Sequence, residues 1–94
     1  EVLPDVPTYA AVGYKQANEP SWFGMVAPAG TPAAAIDRIQ QAVAQALKEP
    51  AVRERLAGQG LYPSGTTSKE FTAQIAREIE KMKGVAAYAK VVLD

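Results

Sequence analysis

The sequence predicts an α/β fold with one central strand at about residues 21–27. Helices follow at about 33–48, 50–57 and 68–89, with short extended segments between them. Three observations predict it. Trp22, Phe23, Met25 and Val26 form a short, nearly all-apolar run, the pattern of a strand covered on both faces. Pro28 ends that run, because proline cannot donate to a ladder, and Gly30-Thr31-Pro32 then opens a helix. Beyond Pro32 the apolar residues recur every three to four positions, the period of a helix with one covered face.

Before the strand, Pro4, Pro7 and Gly13 punctuate the chain. Leu3 and Val6 precede prolines and are therefore expected to be extended. Thr8 can cap one helical turn over Tyr9–Val12, which Gly13 would stop, and the polar stretch from Tyr14 to Glu19 reads as a loop. At the first helix, Thr31 is the expected N-cap and Pro32 fits the first helical position, where its missing N–H costs nothing. Ile36, Ile39, Val43 and Leu47 fall on one stripe of that helix, and its many alanines raise helical propensity. Glu49-Pro50 breaks it and starts a short second helix, with Val52 and Leu56 on one side. Gly58 or Gly60 supplies the left-handed stop. Thr67-Ser68-Lys69-Glu70 matches a capping box, with Thr67 as cap and Glu70 reaching back. Phe71, Ile75, Ile79, Met82, Ala86 and Ala89 then mark one stripe of the third helix. Gly84 lowers its stability by about 1 kcal/mol relative to alanine, which allows a kink or early fraying there. Val91-Val92-Leu93 reads as a terminal strand or a loose tail.

Composition narrows the function classes. The chain has 94 residues, a single domain at most. Ten basic and ten acidic residues balance, which argues against a nucleic-acid groove and against an anionic membrane surface. No apolar run is long enough to cross a membrane as a helix. Without histidine or cysteine, the commonest general base, the commonest metal ligand and the thiol nucleophile are all missing. The reading is therefore not an enzyme, with no cofactor and no metal called for. The chain opens on Glu1 rather than methionine, which reads as the start of a processed piece.

The ordered set of motifs resembles one family. Pro4-Asp5-Val6-Pro7-Thr8, Gly13-Tyr14, Ser21-Trp22-Phe23-Gly24 and Ala27-Pro28-Ala29-Gly30-Thr31-Pro32 come first. Pro50-Ala51-Val52-Arg53-Glu54-Arg55-Leu56, Gly60, Glu70-Phe71 and Glu78-Ile79 follow. Together they resemble the C-terminal portion of Bug-type receptors, the periplasmic solute-binding proteins of tripartite tricarboxylate transporters. The resemblance implies a two-lobed, periplasmic-binding-protein-like α/β fold. Residues 1–94 would form one partial domain, the return strand and first-lobe helices. It also implies a small carboxylate-bearing solute held between lobes, membrane components of the transporter as partners, and a hinge near Glu19–Ser21. The family's main ligand loops lie outside this sequence, so the piece alone is expected to bind no solute tightly. Three positions depart from the pattern: Ala11 where an acidic residue is common, Met82 where tryptophan is common, and Ala89-Lys90-Val91 where Ala-Gly-Ile is usual. The last removes a glycine stop.

Ser21, Trp22 and Phe23 are the candidate ligand-binding residues. Pockets favour aromatic walls, and Ser21 offers a hydroxyl at the end of the run. The plainer reading puts each ring in the core and Ser21 in a turn. Strand alternation would send Trp22 and Phe23 to opposite faces. Glu78 with Glu80, and Arg53 with Arg55, are each two apart on a helix, so they diverge and read as solvated faces. A helical interaction module without solute binding is the competing reading. An apolar strand with few neighbours is also expected to drive self-association into a symmetric dimer or a strand-exchanged one.

Overall fold

The computed structural model describes residues 3–92. Its elements are a single 3-10 turn at Lys15–Ala17, then α1 (Ala33–Ala46), α2 (Pro50–Ala57) and α3 (Ser68–Ala89). The helices fall where the apolar periodicity places them, with α1 closing two residues before the expected end.

The expected central strand is absent. No strand occurs among the described residues, so the α/β reading with a strand at 21–27 is corrected to an all-helical arrangement with a long irregular arm. The cause is pairing. A strand exists through ladder hydrogen bonds, and an apolar composition supplies none by itself. Among the described residues, no turn or loop backbone bond involves positions 19–27. Neither Leu61-Tyr62, between α2 and α3, nor Val91-Val92 of the expected terminal strand forms a strand either. Leu93 of the expected tail lies outside the described residues.

Termini of the helices show how local chemistry sets the boundaries. Thr67 caps α3: its hydroxyl accepts from Glu70 N–H at 3.2 Å, while the Glu70 carboxylate accepts from Thr67 N–H at 2.8 Å. At α1 the expected Thr31 cap is replaced. Pro32 is the cap residue, its carbonyl accepting from Ala35 and Ile36. The Thr31 hydroxyl instead donates back to the Pro28 carbonyl at 2.7 Å, across a turn that Gly30 completes at φ 84°. That turn captures the hydroxyl before the helix can use it.

Both α2 and α3 end in the same way. Gly60 takes φ 74° and Leu61 N–H reaches the Leu56 carbonyl at 2.9 Å. Lys90 takes φ 53° and Val91 N–H reaches the Ala86 carbonyl at 3.0 Å. So Gly60, rather than Gly58, is the left-handed stop of α2, and Lys90 fills that role on α3 without glycine's freedom. Gly84 neither kinks nor ends α3, which runs through it. In the arm, Thr8 caps a turn through Ala11 N–H at 3.1 Å, and Gly13 closes it at φ 96°.

Packing is sparse. α1 lies against α3, and Gln40 on α1 ties the two through its side-chain amide, which donates to the carbonyls of Gly65 and Thr66 at 3.2 and 3.3 Å. The half-buried line on α1 is Ile36, Gln40, Ala44 and Leu47. Ile39 and Val43, expected on that stripe, stay exposed, as do Ile79 and Met82 on α3. No side chain among the described residues is fully buried.

Candidate functional site

The arm meets α3 at its aromatic residues. Phe71 is the fourth residue of α3 and follows directly on the capping box, so its backbone position follows from a helix start that the sequence encodes locally. Trp22 stands edge-on to it, ring centroids 5.2 Å apart and planes at 87°. That edge-to-face geometry matches the quadrupoles of the two rings. Gly24 makes the approach feasible, because a methyl group there would overlap the Phe71 ring. Nearly three turns further along α3, Lys81 forms an ion pair with Glu19, three residues before Trp22 in the arm. The arm is thus held at two points, one apolar and one charged.

Two open depressions flank this junction. One, about 370 Å³, runs between the arm at Gln16, Ser21 and Trp22 and α3 at Glu78, Lys81 and Met82. The other, about 330 Å³, shares Trp22, Glu78 and Lys81 with the first and extends over Gln74 and Arg77. Gln74, Glu78 and Lys81 share a helix face because they are spaced by four and three residues. Glu19, Glu78, Arg77 and Lys81 balance in charge across the junction. The surface offers hydrogen bonds and paired charges beside an indole face, the means to hold a polar solute, and no nucleophile–base pair. Among the described residues there is no group of three metal-ligating side chains.

Ser21 and Trp22 come together at the first depression. Phe23 does not join them: it is 84% exposed, whereas Trp22 is 43% exposed. Neither ring enters a core, against the plainer expectation. The residues that sequence reasoning passed over are on α3. Glu78, read as solvated, is half-buried beside Trp22, while Glu80 stays exposed and pairs with Lys83 at 2.7 Å. The i, i+3 and i+4 spacing of Gln74, Glu78 and Lys81 was the available signal. Glu19 carried none, because its partner lies 62 residues away.

One titratable group is shifted by local geometry. The Thr67 backbone N–H, and then the Thr67 hydroxyl, hold the Glu70 carboxyl below the usual carboxylate range.

Comparison with known protein families gives a class of transport receptor. Residues 1–89 match the model of the tripartite tricarboxylate transporter family receptor. The chain belongs to that family. It is 37% identical over 83 residues to protein BugT of Bordetella pertussis, covering 88% of this chain and 26% of BugT. It is 34% identical over 92 residues to a UPF0065 protein of Agrobacterium vitis, covering 95% of this chain and 27% of that protein. The chain therefore spans about a quarter of the length of the curated relatives it matches. No solved structure matches it.

Proposed function

We propose that this chain serves as part of a periplasmic solute-binding receptor, which captures a small carboxylate-bearing solute and passes it to the membrane components of a tripartite transporter. The family match over residues 1–89 carries the reading. The absence of histidine and cysteine from the sequence supports a non-catalytic role. Within such a receptor residues 1–94 act as one partial domain. Ser21 and Trp22 contribute to the solute site, since they line a depression beside Lys81, where the solute's carboxylate would compete with Glu19 for the ammonium group. Phe23 contributes only if the arm is covered by further polypeptide. The chain alone binds no carboxylate tightly, because its depressions are open to water and their charges are balanced.

Calorimetric titration with a panel of di- and tricarboxylates tests this. The purified chain is compared with intact BugT in which the matched segment is exchanged for this chain. Micromolar binding by the exchanged receptor and none by the chain alone is expected. A folded exchanged receptor that binds no member of the panel overturns the reading. One observation favours a second reading, a helical interaction module: the regular structure among the described residues is wholly helical. A chain that folds cooperatively by itself and leaves solute binding of the exchanged receptor untouched by Trp22→Ala would favour it.

A further inference from the structure

Among the described residues, Lys81 is the one cation that lines both depressions beside Trp22, and Glu19 and Glu78 line both as well. In the first depression two carboxylates therefore face a single ammonium group. That ammonium group is already taken. Its ion pair is with Glu19, 62 positions earlier, rather than with Glu78, which precedes it by three on the same helix face. Resting on the receptor reading, we propose that Glu19 is an internal competitor for the solute. Its carboxylate occupies Lys81 when no solute is held, and the solute's carboxylate binds by displacing it.

Three features make the exchange feasible. The Lys81 and Glu19 side chains are 36 and 53% exposed, so water already screens the pair and opening it costs little. Glu19 can leave without breaking a turn or loop backbone bond, because the last one before it joins Asn18 N–H to the Lys15 carbonyl and none involves positions 19–27. Charge then favours the incoming anion. With Glu19 gone, Arg77 and Lys81 face Glu78 alone across the two depressions, one positive charge in excess. The exchange also has a consequence for the arm. Glu19 on Lys81 is its charged anchor, so displacement leaves Trp22 against Phe71 to hold it. Solute binding and arm docking therefore oppose one another, and the fraction of molecules with Glu19 paired lowers the apparent affinity for the solute.

The test uses the exchanged BugT receptor carrying 5-fluorotryptophan, with the Trp22 fluorine resonance assigned by its loss in Trp22→Phe. Succinate and citrate are the probes, at constant ionic strength. Binding of either should move the Trp22 resonance toward its position in probe-free Glu19→Gln, where the charged anchor is already lost. Glu19→Gln should bind the probe roughly two- to fivefold more tightly, the range of an exposed ion pair, with no further movement of the resonance. Lys81→Gln should lose roughly tenfold or more in affinity. Glu78→Gln leaves the ion pair in place and should keep the wild-type movement. Probe binding with affinity unchanged or weakened in Glu19→Gln overturns this inference and leaves the receptor reading standing. So does a loss of binding in Arg77→Gln that Lys81→Gln does not share, which puts the carboxylate on Arg77. A folded exchanged receptor that binds neither probe overturns the inference, and one that binds no other member of the panel overturns the receptor reading with it. If the exchanged receptor is insoluble, the chain itself serves, since Trp22 is its only tryptophan. Millimolar citrate, compared with sodium chloride of equal ionic strength, should shift Trp22 emission to the red in the wild-type chain and not in Glu19→Gln. Equal spectra in citrate and chloride overturn the proposal.

Discussion

The arm at residues 3–32 and the helical region at 33–89 are built on different kinds of information. Each helix takes its start and its stop from residues within a few positions of its own ends. Thr67 and Glu70 satisfy one another three residues apart, and Gly60 closes α2 through bonds that span five. The arm has the most apolar run in the chain, yet that run acquires no regular structure. Its contacts are Trp22 on Phe71, 49 positions away, and Glu19 on Lys81, 62 away. Helical bonds close inside a segment, whereas extended backbone needs a neighbour that another segment must supply. Apolar composition therefore marks what must be covered, and says nothing of whether the cover is at hand.

The sharpest way to break this comparison is at the junction. Phe71→Ala removes the ring on which Trp22 rests. It should cost about 2 kcal/mol of arm docking, less than a core phenylalanine because both rings remain partly wet. Trp22 emission should shift to the red, and helix content should hold. A loss of α3 helicity would mean that the arm and the helix are one cooperative unit. Gly24→Val should mimic it by crowding the same ring.

Thr67→Ala should cost about 1 kcal/mol in the opening of the first turn of α3, measured by amide exchange. Thr31→Ala should cost α1 only a few tenths of that figure, because the Thr31 hydroxyl bonds within a turn and caps nothing. Equal costs at the two threonines would show that Thr31 reaches the helix after all. Lys90→Gly should act in the opposite direction. It relieves a left-handed residue and should stabilise the end of α3 by about 0.5–1 kcal/mol. Fraying of Ala86–Ala89 in exchange spectra is the readout, and unchanged protection would place the stop elsewhere.

The smallest effect is a pH dependence at Glu70. Its carboxyl is held below the ordinary value in the folded helix, so it contributes stability above its unfolded pKa. That contribution should vanish as pH falls through the lowered folded value, with first-turn protection in α3 falling alongside. In Thr67→Ala the dependence should weaken but persist, since the Thr67 backbone N–H still donates. A first turn indifferent to acid would remove the capping box from the account of α3.

The sequence alone determined the three helices and most of their ends. The necessary residues sit within five positions of one another, as at Thr67 with Glu70 and Leu56 with Leu61. It also carried the family, through an ordered set of short motifs that no single residue specifies. Only the tertiary structure decided that residues 21–27 form no strand, since pairing depends on a neighbour that composition does not announce. Only tertiary structure placed Ser21 and Trp22 at a depression shared with Glu78 and Lys81 and left Phe23 outside it. It likewise turned the Thr31 hydroxyl back to Pro28. In each case the physical reason is competition. Where one local bond dominates, sequence suffices; where two partners compete or the partner is distant, geometry chooses between them.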